Sequence, residues 1–90
     1  LLHLPCFPNP FNPHTTISLQ HEEAADIRLA IYDLAGRRIR VLHDGRLESG
    51  RCDFTWKGLD ESGRDAPSGV YLVLLEGAKG PISRKITMLR

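Results

Sequence analysis

Ninety residues supply one hydrophobic core and not two, because each half of a divided chain would leave exposed the surface it needs to bury. With 41% hydrophobic and 26% charged residues and a net charge of +1, the chain falls outside the disordered and collagen-like classes, and its charge balance selects no acidic partner. Aromatic side chains are scarce and not interleaved with basic ones, so the stacking platform that single-stranded nucleic acid needs is missing and no nucleic-acid partner is expected.

The chain starts at Leu1 without an initiator Met, a basic leader or a cleavage pattern, which predicts a domain taken from a longer parent protein that continues upstream of Leu1. Residues 1–13 hold four of the six prolines, Pro5, Pro8, Pro10 and Pro13, and each proline pushes the residue before it toward extended backbone. This predicts a proline-rich strap over 1–13, with Phe7 and Phe11 as its anchors, ahead of a single β domain over 14–90. Asn9 and Asn12 each precede a proline, where their side chains can bond nearby backbone and start a turn.

From Thr15 the period is two, with Ile17 and Leu19 on one side, which predicts the first strand. Ile27, Leu29 and Ile31 alternate with Arg28, Ala30 and Tyr32 in a second, half-buried strand. Asp33-Leu34-Ala35-Gly36 then spells a type I turn closed by a left-handed glycine, a common hairpin connection. Ile39 and Val41 are expected to face inward on the next strand, with Arg38 and Arg40 outward, before breaks at Asp44-Gly45 and Ser49-Gly50.

Cys52, Phe54 and Trp56 mark another strand, and Asp60-Glu61-Ser62-Gly63-Arg64 repeats the turn spelling of residues 33–37. The longest apolar run, from Val70 to Leu75, has strand length and falls far short of the roughly 18 residues of a membrane span. Being apolar on both faces, it reads as a central strand covered on two sides. A turn over 77–81 leads to a last strand from Ile82 to Leu89. No window carries a helical stripe, and six or seven strands at roughly ten-residue spacing predict an all-β, two-sheet antiparallel sandwich. Leu29, Ile31, Phe54, Trp56, Leu72 and Leu74 are the expected shared core.

Catalysis is not expected. Ser49, Ser62 and Ser68 each precede a glycine in a turn, where small polar residues sit for conformational reasons, and no nucleophile elbow is present. His3, His14, His21 and His43 lack zinc-ligand spacing, neither cysteine belongs to a Cys-x-x-Cys motif, and no metal or cofactor is expected. Asp60, Glu61 and Asp65 form an acidic loop that could hold calcium weakly, without the ligand order of an EF-hand; the plainer reading is a hairpin turn. Cys6 and Cys52 would close a disulfide loop worth roughly 4 kcal/mol in an exported protein, but Cys52 beside Phe54 and Trp56 also reads as a small buried thiol, the reading preferred here.

Positive charge gathers after Glu76, at Lys79, Arg84, Lys85 and Arg90. Such residues guard an exposed sheet against pairing with a neighbour, or form a face that docks on an acidic receptor or membrane surface.

Five segments occur in order: Phe7-Pro8-Asn9-Pro10-Phe11-Asn12-Pro13 leading to Thr15-Thr16-Ile17, then Ile31-Tyr32-Asp33-Leu34-Ala35-Gly36-Arg37, Trp56-Lys57-Gly58, Ser68-Gly69-Val70-Tyr71 and Arg84-Lys85-Ile86. As an ordered set, covering nearly the whole chain, they resemble the C-terminal sorting domains of type IX (Por) secretion cargo and the closely similar immunoglobulin-like domain of flagellar hook-capping proteins. The motif positions that match are Pro8, Asn9, Pro10 and Phe11 in the strap, Tyr32, Asp33 and Gly36 at the turn, and Gly69, Tyr71, Lys85 and Ile86 toward the C-terminus.

The resemblance implies an immunoglobulin-like antiparallel β-sandwich of about seven strands at the C-terminal end of an exported bacterial protein. It further implies a module that reaches the cell surface or medium through the periplasm and is read by outer-membrane secretion machinery, with Lys79, Arg84, Lys85 and Arg90 as the candidate recognition face. Arg64-Asp65-Ala66-Pro67-Ser68-Gly69 and the Trp56-Lys57-Gly58 strand end look more like the hook-capping branch, which keeps a structural spacer or assembly module as the alternative. A carbohydrate-binding accessory domain is the third reading, and it requires Tyr32, Trp56 and Tyr71 to form an exposed aromatic row.

Overall fold

A computed structural model describes residues 4–77 and 80–90. The alternating segments form seven strands, β1 (Cys6–Phe7), β2 (Thr15–His21), β3 (Ala25–Asp33), β4 (Arg38–Leu47), β5 (Gly50–Trp56), β6 (Gly69–Glu76) and β7 (Ile82–Met88). They make two antiparallel sheets of order β1-β2-β5 and β4-β3-β6-β7, and no helix occurs among the described residues. The expected all-β sandwich is therefore the fold.

Between the sheets lie Ile17 and Leu19 of β2, Ile27, Leu29 and Ile31 of β3, Trp56 of β5 and Ile86 and Met88 of β7. Leu4 and Phe11 join this core from the residues flanking β1. Burying side chains of this size contributes about 1.5–3 kcal/mol each, which is what holds the two layers together.

Two expectations about facing and one about burial are corrected. On β6 the inner residues are Tyr71, Val73 and Leu75, while Leu72 and Leu74 are half-buried and absent from the core. Because both faces of β6 are apolar, alternation alone did not say which set turns inward; pairing with β3 decides it, since Val73 lies opposite the buried Ile31. Phe54 is half-buried and packs against the core without entering it. On β4, bulges between Leu29/Ala30 and Ile31/Tyr32 insert extra residues, so Leu42 and Ile39 pack on the core and Val41 pairs with the outward Ala30. The bulges also bring Arg40 opposite Ile31, on the inner side of this edge strand.

Asp44-Gly45 does not break the chain. Gly45, at φ +136°, stays paired with Ile27, and β4 runs on to Leu47. The outer face of β6, expected to be covered, has no second layer on it among the described residues.

Candidate functional site

The matched strap positions meet those of the C-terminal strand at one seam, where the residues after β1 run beside β7, while Tyr32, Asp33 and Gly36 lie apart at the β3–β4 turn. Pro8 and Pro10 have no N–H to offer, so residues 8–10 cannot pair with β7 as an ordinary strand would. Asn9 substitutes its side chain: Nδ2 donates to the Lys85 carbonyl at 3.2 Å and Oδ1 accepts from the Thr87 N–H at 3.0 Å. Phe11 continues with backbone, its N–H donating to the Thr87 carbonyl at 3.0 Å and its carbonyl accepting from the Leu89 N–H at 2.8 Å. The strap thus runs parallel to β7 and caps the last part of its free edge. Both Phe7–Pro8 and Asn9–Pro10 are cis peptide bonds.

Beneath the seam, the Phe11 ring sits 5.7 Å from that of Trp56, and Trp56 meets Tyr71 edge-on at 5.0 Å. The Tyr71 hydroxyl reaches back to the Pro67 carbonyl, four residues upstream, making the tyrosine corner typical of immunoglobulin-like sandwiches. Burial is the main cause that pushes this phenol above its ordinary range.

The Arg90 side chain is clasped against the 57–68 connection. Its Nε donates to the Ala66 carbonyl at 2.6 Å, Nη2 to the Gly58 carbonyl, and Nη1 lies 3.5 Å from the Asp65 carboxylate. Its backbone N–H donates to Ser68 Oγ at 2.9 Å. Gly58, at φ +75°, accommodates this clasp because a Cβ there would stand 2.8 Å from both Arg90 Nη2 and Met88 Sδ.

The proposed basic face is divided by this geometry. Arg84 lies opposite Val73, on the inner side of β7, and its charge partly offsets the burial that pushes the Cys6 thiol up. Lys85 lies opposite Leu72 on the outer side. Both are exposed, but on opposite faces of the strand, and Arg90 is held in the clasp. Lys79 lies outside the described residues.

Of the remaining motif positions, Gly36 closes its turn at φ +87°, with its N–H donating to the Asp33 carbonyl at 3.1 Å. Asp33 Oδ1 accepts from the Ala35 and Arg37 N–H groups at 3.0 and 2.9 Å. Tyr32 is half-buried on the outer face of β3, Gly69 opens β6 opposite Met88, and Ile86 is core. Gly58 and Ser68 fall within the motif segments, but their link to Arg90 spans too many residues for any local signal to reveal.

The acidic loop is committed elsewhere. Asp60 Oδ1 accepts from the Ser62 N–H, the Ser62 hydroxyl and the Arg64 N–H, Glu61 accepts from the Val41 N–H at 3.3 Å, and Asp65 faces Arg90. The three carboxylates therefore serve three different partners, and among the described residues no three His, Cys, Asp or Glu converge as a metal site requires. Cys6 and Cys52 are free thiols on opposite sides of β2, paired with Ile17 and Leu19. Two strand spacings, about 10 Å, exceed the roughly 7 Å within which a disulfide closes.

Two antiparallel sheets, a tyrosine corner and a capped edge strand define an immunoglobulin-like sandwich module. The chain belongs to the FlgD Ig-like domain family, which matches residues 9–80. The basal-body rod modification protein FlgD of Salmonella typhimurium, and that of Salmonella typhi, are each 31% identical over 67 residues, covering 73% of this chain and 29% of theirs. The chain thus corresponds to under a third of the curated relatives' length.

Among solved structures, PorZ of Porphyromonas gingivalis, described as an essential bacterial surface component of the type IX secretion system, superposes with a TM-score of 0.66 at 26% identity. The match covers 97% of this chain and 11% of PorZ. Dimeric latent PorU from the same organism shares the fold with a TM-score of 0.73 at 19% identity, over 96% of this chain and 9% of PorU.

Proposed function

We propose that this chain is a non-catalytic module of an exported bacterial protein, borne at its C-terminal end, that acts as a type IX secretion sorting signal read by outer-membrane machinery. The observation that carries the reading is the seam: the strap caps the last part of β7 and leaves Arg84 and Lys85 exposed on an ordered strand. The likeness to PorZ over nearly the full chain supports the same reading and a cell-surface or secreted location. Since Arg84 and Lys85 face opposite ways, a receptor that reads both must reach around the two faces of β7 from the stretch ahead of the strap, whose first bond to β7 is at Lys85.

The test is export of the parent protein carrying Arg84→Gln, Lys85→Gln or both. The double substitution should lower export while changing the stability of the domain by no more than about 0.5 kcal/mol, as for other exposed positions. Wild-type export from a folded double variant overturns the sorting reading. The structural spacer or assembly module would then lead, supported by the 31% identity to FlgD. Against the carbohydrate-binding alternative, Trp56 and Tyr71 are buried and only Tyr32 reaches the surface.

A further inference from the structure

The outer face of the four-stranded sheet carries a pattern that the seam does not use. Cross-strand partners share a face, so the registers arrange this surface in rows. Lys85, Leu72, Tyr32 and Arg38 form one row, Ser83, Leu74, Ala30 and Val41 the next, and Glu76, Arg28 and Asp44 a third. Leu72, Leu74, Tyr32 and Val41 are half-buried and none belongs to the core between the sheets, while Ala30 is fully covered beneath them. The middle of this face is therefore an apolar strip with no layer over it among the described residues.

Its two ends differ in charge. The first row ends in Lys85 and Arg38, neither of which has a carboxylate within 4 Å among the described residues. The third row has Glu76 and Asp44 against a single cation, Arg28, which pairs with Asp44 at 3.7 Å. A surface that is basic at one end, acidic at the other and apolar between is complementary to itself when turned over by a two-fold rotation.

We propose that this face binds a second copy of the chain, face to face, about a two-fold axis that crosses the strands at the Leu74–Ala30–Val41 row. That rotation sets Arg38 of one copy over Asp44 of the other, brings Lys85 and Leu72 against the other copy's Glu76, and lays Tyr32 over Arg28, while Leu74, Ala30 and Val41 meet their own copies. Four strands about 4.8 Å apart and about eight residues long offer roughly 500 Å² per copy. A stable interface buries nearer 800 Å² on each side, so this dimer is weak and reversible.

Sedimentation of the ninety-residue chain over a concentration series tests the pairing. A monomer at about 10 µM should shift toward dimer near 1 mM. Leu74→Lys, which would set two ammonium groups against each other on the axis, should weaken association at least about tenfold, with Val41→Lys as a second variant should the first lose its strand circular dichroism. Arg38→Asp should also weaken it, and adding Asp44→Arg should restore it. A wild-type chain that stays monomeric at 1 mM overturns the proposal and leaves the strip to a different surface. A dimer untouched by folded Leu74→Lys and Val41→Lys variants pairs elsewhere, for example through a sheet edge, and also overturns it. A double charge variant no tighter than Arg38→Asp alone rules out the stated two-fold axis.

Discussion

Asp33–Arg37 and Asp60–Arg64 build the same turn in two settings. In each, the aspartate carboxylate accepts N–H groups from the residues two and four further on, and a glycine at φ +87° or +85° closes the loop. The first turn joins β3 to β4 within one sheet and ends in solvent, with Leu34 exposed at its tip. The second lies where the chain passes from β5 in one sheet to β6 in the other, and it is pinned from several sides. Trp56 Nε1 donates to the Leu59 carbonyl at 2.9 Å, Arg40 Nη1 to the Asp60 carbonyl at 2.7 Å, and Arg90 holds the flanking carbonyls of Gly58 and Ala66. Local spelling dictates the turn, and distant residues decide whether it is a surface loop or a joint between layers.

Trp56→Ala should break this comparison most strongly. It removes the donor to Leu59 and the ring that Phe11 and Tyr71 pack on, and should cost about 3–5 kcal/mol in denaturant unfolding. Stability near wild type would mean the second turn is no better anchored than the first.

Glycine substitutions sharpen the contrast. Gly36→Ala and Gly63→Ala, both with open space where the Cβ would go, should each lose about 1 kcal/mol for the left-handed backbone alone. Gly58→Ala adds contacts at 2.8 Å with Arg90 and Met88 and at 3.2 Å with Pro13, and should lose about 2–4 kcal/mol. Equal losses at all three positions would show that the Arg90 clasp yields freely.

Acid titration gives the smallest effect. The Arg37 N–H bond, above all, holds the Asp33 carboxyl below its usual range, and the Ser62 hydroxyl does most for Asp60. A carboxyl with a depressed folded pKa stabilises fully above its unfolded value of about 3.9 and loses that stabilisation as pH falls through the folded value. Between about pH 5 and pH 2, Asp33→Asn and Asp60→Asn should therefore each lose less thermal midpoint than wild type does. Parallel curves for wild type and both variants would contradict the assignment.

These features were legible in the sequence to different degrees. The strands at Ile17–Leu19 and Ile27–Ile31 and both Asp-x-x-Gly turns were readable because each is determined within a few residues. The inward side of β6 was not, because an apolar residue at every position removes the contrast that alternation needs. The bulges on β4 shift Val41 to the outer face and turn Leu42 against the core, and nothing in Arg38–Leu47 marks where the extra residues fall. The split of Arg84 from Lys85 was available from the period of two alone, but grouping them by charge set that period aside. Asn9 was read as a turn former; its use as a surrogate strand residue depends on β7, 76 residues away.

The parallel run of the strap beside β7 has a mechanical consequence. Residues 4–7 and Arg90 leave this pair at opposite ends, so tension that draws them apart slides the strap against β7 instead of peeling it away. Both Asn9 bonds and both Phe11 bonds then bear the load together. Under such a load the seam resists in shear, and replacing Asn9 with Ala removes half of those bonds while leaving the backbone pair of Phe11 in place.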